Sequence, residues 1–193
     1  MMTTTAAPAP VLDAERTDLL AELAVARAAL TATVDGLSDE QAGLRPTASA
    51  LCLGGLVKHV TACEDSWARF ILEGPAAIPY DLPDGVTWAD LLSGTAREFP
   101  SWLVDRQNQF QMRPGDTVAG ILENYARTAA RTDEIVANLP DLSASHPLPN
   151  APWHEAGARH SARRVLIHII AETTQHAGHA DILRETIDGQ TAT

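Results

Sequence analysis

Apolar residues recur at helical spacing in four long stretches, and no sustained alternation of apolar and polar positions marks a strand. The first stretch carries Leu12, Leu19, Leu23, Leu30 and Val34 on one side and stops near Gly36. Ser38-Asp39-Glu40-Gln41 follows with the spacing of a capping box, which predicts a short extra turn with Leu37 tucked beneath it. The second stretch, from about Leu51 to Glu73, aligns Leu56, Val60, Cys63, Trp67 and Phe70 and meets two breakers at Gly74-Pro75. From Pro75 to Gly115 the periodicity fails amid repeated prolines, so this segment is expected to be an elaborated connection with one short helix around Trp88 to Phe99. A third helix is expected with Asp116 as its cap, Val118, Ile121, Leu122, Tyr125, Ile135 and Leu139 facing inward, and Pro140 as its stop. A second proline-rich loop runs to about Arg159. Leu166, Ile169, Ile170, Thr173, Ala177, Ala180, Leu183 and Ile187 then mark the last helix, closed by Gly189. The pattern predicts a nearly all-α chain without internal repeats.

Length and composition narrow what such a bundle can be. At 193 residues, 45% of them hydrophobic, the chain suits one well-filled core, and residues 11–189 are expected to form one domain between short tails, 1–10 and 190–193. The first of these tails reads as frayed, with neither the basic patch nor the apolar run of a signal peptide. No apolar run approaches the roughly 20 residues needed to cross a bilayer, so no membrane partner is expected. The net charge of −11 argues against nucleic acid, because no basic stripe exists to displace counterions. Cys52 and Cys63, eleven positions apart in one expected helix, are too distant for a disulfide and suit a reducing, cytoplasmic setting.

The candidate chemistry lies on the last helix. His168, Glu172 and His176 are spaced four apart, with His179 three further on, and the four share a face. An isolated Glu-His pair at i, i+4 is more often a solvated surface pair than a metal site. Here the pair runs along the apolar stripe of Ile169, Thr173 and Ala180, which points it inward, where ionisable groups need a partner. His59 also faces inward, among Leu56, Val60 and Cys63. One divalent ion would neutralise the carboxylate and satisfy both imidazoles together, so His59, Glu172 and His176 are the expected ligands. The cysteines are read as small buried hydrophobes, Trp67 as core, and Trp153, beside His154, as the wall of an opening.

Four blocks of sequence carry a family resemblance: Leu37-Ser38-Asp39-Glu40-Gln41, Leu53-Gly54-Gly55-Leu56-Val57-Lys58-His59-Val60, Pro114-Gly115-Asp116-Thr117, and the run from His168 to Glu185 that includes Glu172-Thr173-Thr174-Gln175-His176-Ala177-Gly178-His179. From roughly Asp13 to Gly189 the chain resembles the DinB/YfiT-like superfamily, and within it the actinobacterial branch that includes mycothiol S-transferases. The resemblance implies a DinB-like four-helix bundle with long connecting loops, whose metal ligands fall on His59, Glu172 and His176. Many relatives carry histidine where this chain has Glu172; the mycothiol-dependent maleylpyruvate isomerase is similar in using glutamate. It implies zinc or another divalent metal, mycothiol or a related low-molecular-weight thiol as cosubstrate, and an electrophilic small molecule as its target. His168 and His179 are not standard ligands of the family and fall to supporting roles. A homodimer is in keeping with the resemblance, although no exposed heptad or large apolar patch points to one. The expected activity is thiol S-transfer; the alternatives are a metal-dependent hydrolase that activates water and a noncatalytic metal-binding stress-response or interaction protein.

Overall fold

The computed structural model describes residues 12–191, so the expected tail of residues 1–10 lies outside the described residues, as do residues 192 and 193. Helices α1 (Ala14–Ala32), α3 (Leu53–Glu73), α6 (Val118–Asn138) and α7 (Ala162–Asp188) form the bundle, with α1 packed on α7 and α3 packed on both α6 and α7. The shorter helices α2 (Asp39–Ala42), α4 (Trp88–Ser93) and α5 (Ser101–Gln109) lie in the connections. The fold is the all-α bundle expected from the periodicity, and it is consistent with the DinB-like bundle that the resemblance implies.

Local chemistry explains most boundaries. Ser38 and Gln41 form the expected reciprocal capping box around α2. Asp13, Thr117 and Ser161 each accept a backbone N–H in the first turn of α1, α6 and α7. Thr117, not Asp116, caps α6, because Asp116 is engaged elsewhere: its carboxylate takes Lys58 Nζ at 2.5 Å and the Arg113 N–H at 2.8 Å. Gly189 ends α7 in the left-handed region at φ 76°.

Three departures from the sequence pattern matter for the site. The expected short helix stops at Gly94, whose φ of 72° closes α4 well before Phe99. Helix α5 occupies a stretch whose apolar pattern suggested only loop. The second loop contains a two-stranded antiparallel hairpin, β1 (Ser145–Pro147) with β2 (Arg159–Ser161), in which His146 faces His160. Three residues per strand are too few for a legible alternation.

The core is layered along the bundle axis. One apolar layer gathers Leu30, Leu56, Val60, Tyr125 and Ala177; the other gathers Leu23, Phe70, Val136, Leu166 and Ile169. On α1 and α7 the chain runs from the second layer to the first, and on α3 and α6 it runs back. Between the layers each helix contributes buried polar residues: Arg27, Glu64, Thr128 with Thr132, and Thr173. Arg27 Nε donates to Glu64 at 3.2 Å, a second guanidinium nitrogen closes on the other Glu64 oxygen, and a third reaches Asp133 at 2.9 Å. Glu64 is fully buried, so this pairing is what makes its charge tolerable there.

Candidate metal centre

His59 enters the site from the middle of α3, Glu172 and His176 from successive turns of α7. One potential ligand atom from each lies within 4.8 Å of the others, so two helices bring two imidazoles and a carboxylate to a common point. Glu172 Oε2 is 3.4 Å from His176 Nε2, and the rings of His59 and His176 meet edge to face with centroids 5.0 Å apart. His59 is buried, whereas Glu172 and His176 are partly exposed along the margin of the buried stripe formed by Ile169, Thr173 and Ala177.

The His59 ring is held on two sides. Phe110 stacks on it at 4.0 Å, and its Nδ1 lies 3.1 Å from the side-chain oxygen of Gln109. An Nδ1–H that donates to Gln109 leaves the Nε2 lone pair for the centre. Gly54 and Gly55 make this arrangement sterically feasible. A Cβ on Gly55 would sit 2.2 Å from the Phe110 carbonyl oxygen, and one on Gly54 would sit 2.3 Å from the Met112 sulfur. The segment 110–112 therefore crosses directly over α3, one turn before His59. Among the positions that sequence periodicity passed over, Gln109 and Phe110 have the closest bearing on the centre.

Burial pushes the His59 imidazole down to about 4, so it stays neutral at ordinary pH and keeps a lone pair to offer. Glu172 is held below the usual carboxylate range, first by its hydrogen bond to His176 and then by the surrounding histidines, which keeps it ionised. His168 stays neutral because burial lowers it; its Nε2 is 3.9 Å from Glu172 and its ring lies edge-on to Trp67 at 4.7 Å. His179 is exposed, with its Nδ1 3.5 Å from His176 Nδ1, on the side away from the Glu172 contact. Cys63 lies one turn after His59 on α3, and burial pushes its thiol up to about 12. Cys52 precedes α3, with its thiol 3.6 Å from the Phe110 carbonyl, and plays no part in the cluster.

A cavity of about 420 Å³ opens over His59 and Glu172, walled by Trp67, Tyr80, Trp102 and Trp153. Trp153 thus lines an opening, as its place in the proline-rich loop suggests. Trp67 belongs to both readings: it packs against the second apolar layer and also faces the cavity. Helix α5 adds Arg106 and Gln109 to this wall. Trp102, Arg106 and Gln109 follow helical spacing in the sequence, but two of the three are polar, so an apolar stripe does not reveal them.

The donor set suits a divalent metal. Two imidazoles and one carboxylate are a recognised zinc combination, and three protein ligands leave one position for a small molecule. Ligand atoms around one zinc at about 2.1 Å are no more than about 4.2 Å apart, so the observed spread requires only modest side-chain closure. Comparison with known proteins agrees with the sequence resemblance: residues 18–189 match the family model described as Mycothiol-S-transferase. No curated protein and no solved structure matches the chain.

Proposed function

The chain belongs to the mycothiol-S-transferase family, and we propose that it is a divalent-metal-dependent S-transferase joining mycothiol, or a related low-molecular-weight thiol, to an electrophilic small molecule. The observation that carries this is the convergence of His59, Glu172 and His176 on one point, with His59 and Glu172 lining a cavity. A bound zinc ion would supply the deprotonation of an incoming thiol, which is otherwise mostly protonated at neutral pH.

The protein's own groups have separable tasks. His59 and His176 offer imidazole lone pairs, and the Glu172 carboxylate offsets part of the cation's charge. Gln109 and Phe110 hold the His59 ring so that it need not reorient on binding. Cys63, protonated because of its burial, leaves the nucleophile's role to the incoming thiol. The aromatic walls exclude water from one side of the reacting sulfur. Among the described residues no helix is long and apolar enough to cross a membrane.

The test compares metal-loaded, chelator-stripped and His176→Ala proteins, each with mycothiol, glutathione or no thiol and a bimane or dinitrobenzene electrophile. Conjugation should require both metal and mycothiol and should vanish in His176→Ala. Product formed without thiol would support a hydrolase instead. Lack of turnover with intact metal binding, across a panel of electrophiles, would support a binding protein.

A further inference from the structure

The connections that surround the centre build a second, contiguous cleft from aromatic side chains. Tyr80 lies edge-on to Trp102 at 5.0 Å and to Trp153 at 5.3 Å, and Trp88 stands 5.2 Å from Trp153 and 6.0 Å from Trp102. These four residues come from four separate places: the loop after α3, α4, α5 and the loop within the hairpin. The Trp102 indole N–H donates to the Asp81 carbonyl at 3.0 Å, which fixes one wall. The cleft has a volume of about 480 Å³ and is completed by Leu91 and Leu92. Rings gathered only to fill a core would be buried, yet Trp153 is 51% exposed and the other three are partly exposed. Their faces remain open to a planar guest.

Arg106 stands where the cleft meets the cavity over His59 and Glu172, and it lines both. Among the described residues its guanidinium has no hydrogen bond or carboxylate partner. Its neighbour Asp105 lines the cavity over the centre but not the cleft. A free guanidinium beside stacked rings can pair with an anion carried on a flat molecule.

We propose that this cleft is the acceptor subsite, and that its electrophile is a planar aromatic molecule bearing an acidic group. The ring lies among Trp88, Trp102 and Trp153, the anion pairs with Arg106, and the reactive carbon projects toward His59 and Glu172. This identification rests on the S-transferase function proposed above. For an aryl chloride the thiol sulfur forms a C–S bond as the C–Cl bond breaks; chloride leaves with the bonding pair and the thiol proton passes to solvent.

Binding of 2-chloro-3-nitrobenzoate and of its neutral counterpart 1-chloro-2-nitrobenzene, followed by calorimetry without thiol, tests the assignment independently of turnover. The protein is used as purified, and the His176→Ala variant is run beside it. The acid should bind at least about tenfold more tightly than the neutral compound, as a charge-assisted pair implies, and Arg106→Gln should remove that advantage. Trp102→Leu and Trp88→Leu should each weaken both ligands by about tenfold, the order expected for lost ring contact, in variants whose folding is confirmed by circular dichroism. Binding that persists in His176→Ala keeps the subsite whatever becomes of the metal reading. Equal affinity for the two compounds, or indifference to Arg106→Gln, would overturn the acidic group; indifference to both tryptophan substitutions would overturn the cleft.

Discussion

Two groups of ionisable side chains lie within this bundle, one between its apolar layers and one at its margin, and they differ in what they lack. Arg27, Glu64 and Asp133 join donors to acceptors across three helices, and the guanidinium also reaches the Ala129 carbonyl at 3.4 Å. Opposite charges already face each other there, and no additional ion is required. His59, Glu172 and His176 instead gather electron pairs. The outer nitrogens of the two histidines face Gln109 and His179. A closed network of complementary charges is an element of the fold, whereas two imidazoles and a carboxylate converging on one point are what the proposed metal centre requires.

Removing one member should therefore have opposite consequences in the two groups. Glu64→Ala strands Arg27 in the bundle and should cost about 3–5 kcal/mol of stability in urea denaturation, while metal bound per folded chain stays as in the wild type. Should Glu64→Ala instead lose less than about 1 kcal/mol, the network would be no stronger than a surface ion pair, and the contrast would fail.

Acid should separate the groups next. In the metal-free protein His59 takes a proton only near pH 4, whereas the unfolded chain does so near 6.5. The unfolded state thus binds more protons between these values, and stability is lost as pH falls from 6.5 toward 4. The loss amounts to about 2 kcal/mol at about pH 5. A denaturation series across this range should show the slope in metal-stripped wild type and a shallower one in His59→Gln. Parallel slopes in the two proteins would assign the effect to other groups.

The smallest effect is expected outside the ligand set. Gln109→Ala leaves the His59 ring without its polar partner and should weaken metal binding by about tenfold in a chelator competition, with little change in the melting temperature. An unaltered metal affinity would mean that Phe110 stacking alone orients His59.

The long elements and the Glu172–His176 pair were legible in the sequence because both obey one-helix periodicities. Glu172 and His176 are an i, i+4 pair, and the caps at Ser38 and Gly189 are local in sequence. What escaped is what depends on a second element. Glu64 and Arg27 look like solvated charges until two helices are set side by side, and Asp116 looks like a cap until Lys58 takes its carboxylate. Gln109 and Phe110 belong to a stretch with no apolar stripe, and only the glycine pair at 54–55 hints that a backbone crosses there. The aromatic cleft was visible as scattered tryptophans; its assembly from four connections was not.

Elemental analysis of tag-free protein, run on wild type, His59→Ala and His176→Ala with folding confirmed by circular dichroism, tests the central claim most directly. A centre formed by His59, Glu172 and His176 predicts about one divalent ion per wild-type chain and a loss of most of it in either variant. Full metal content in both folded variants, or none in a wild-type protein dialysed against zinc, would contradict it.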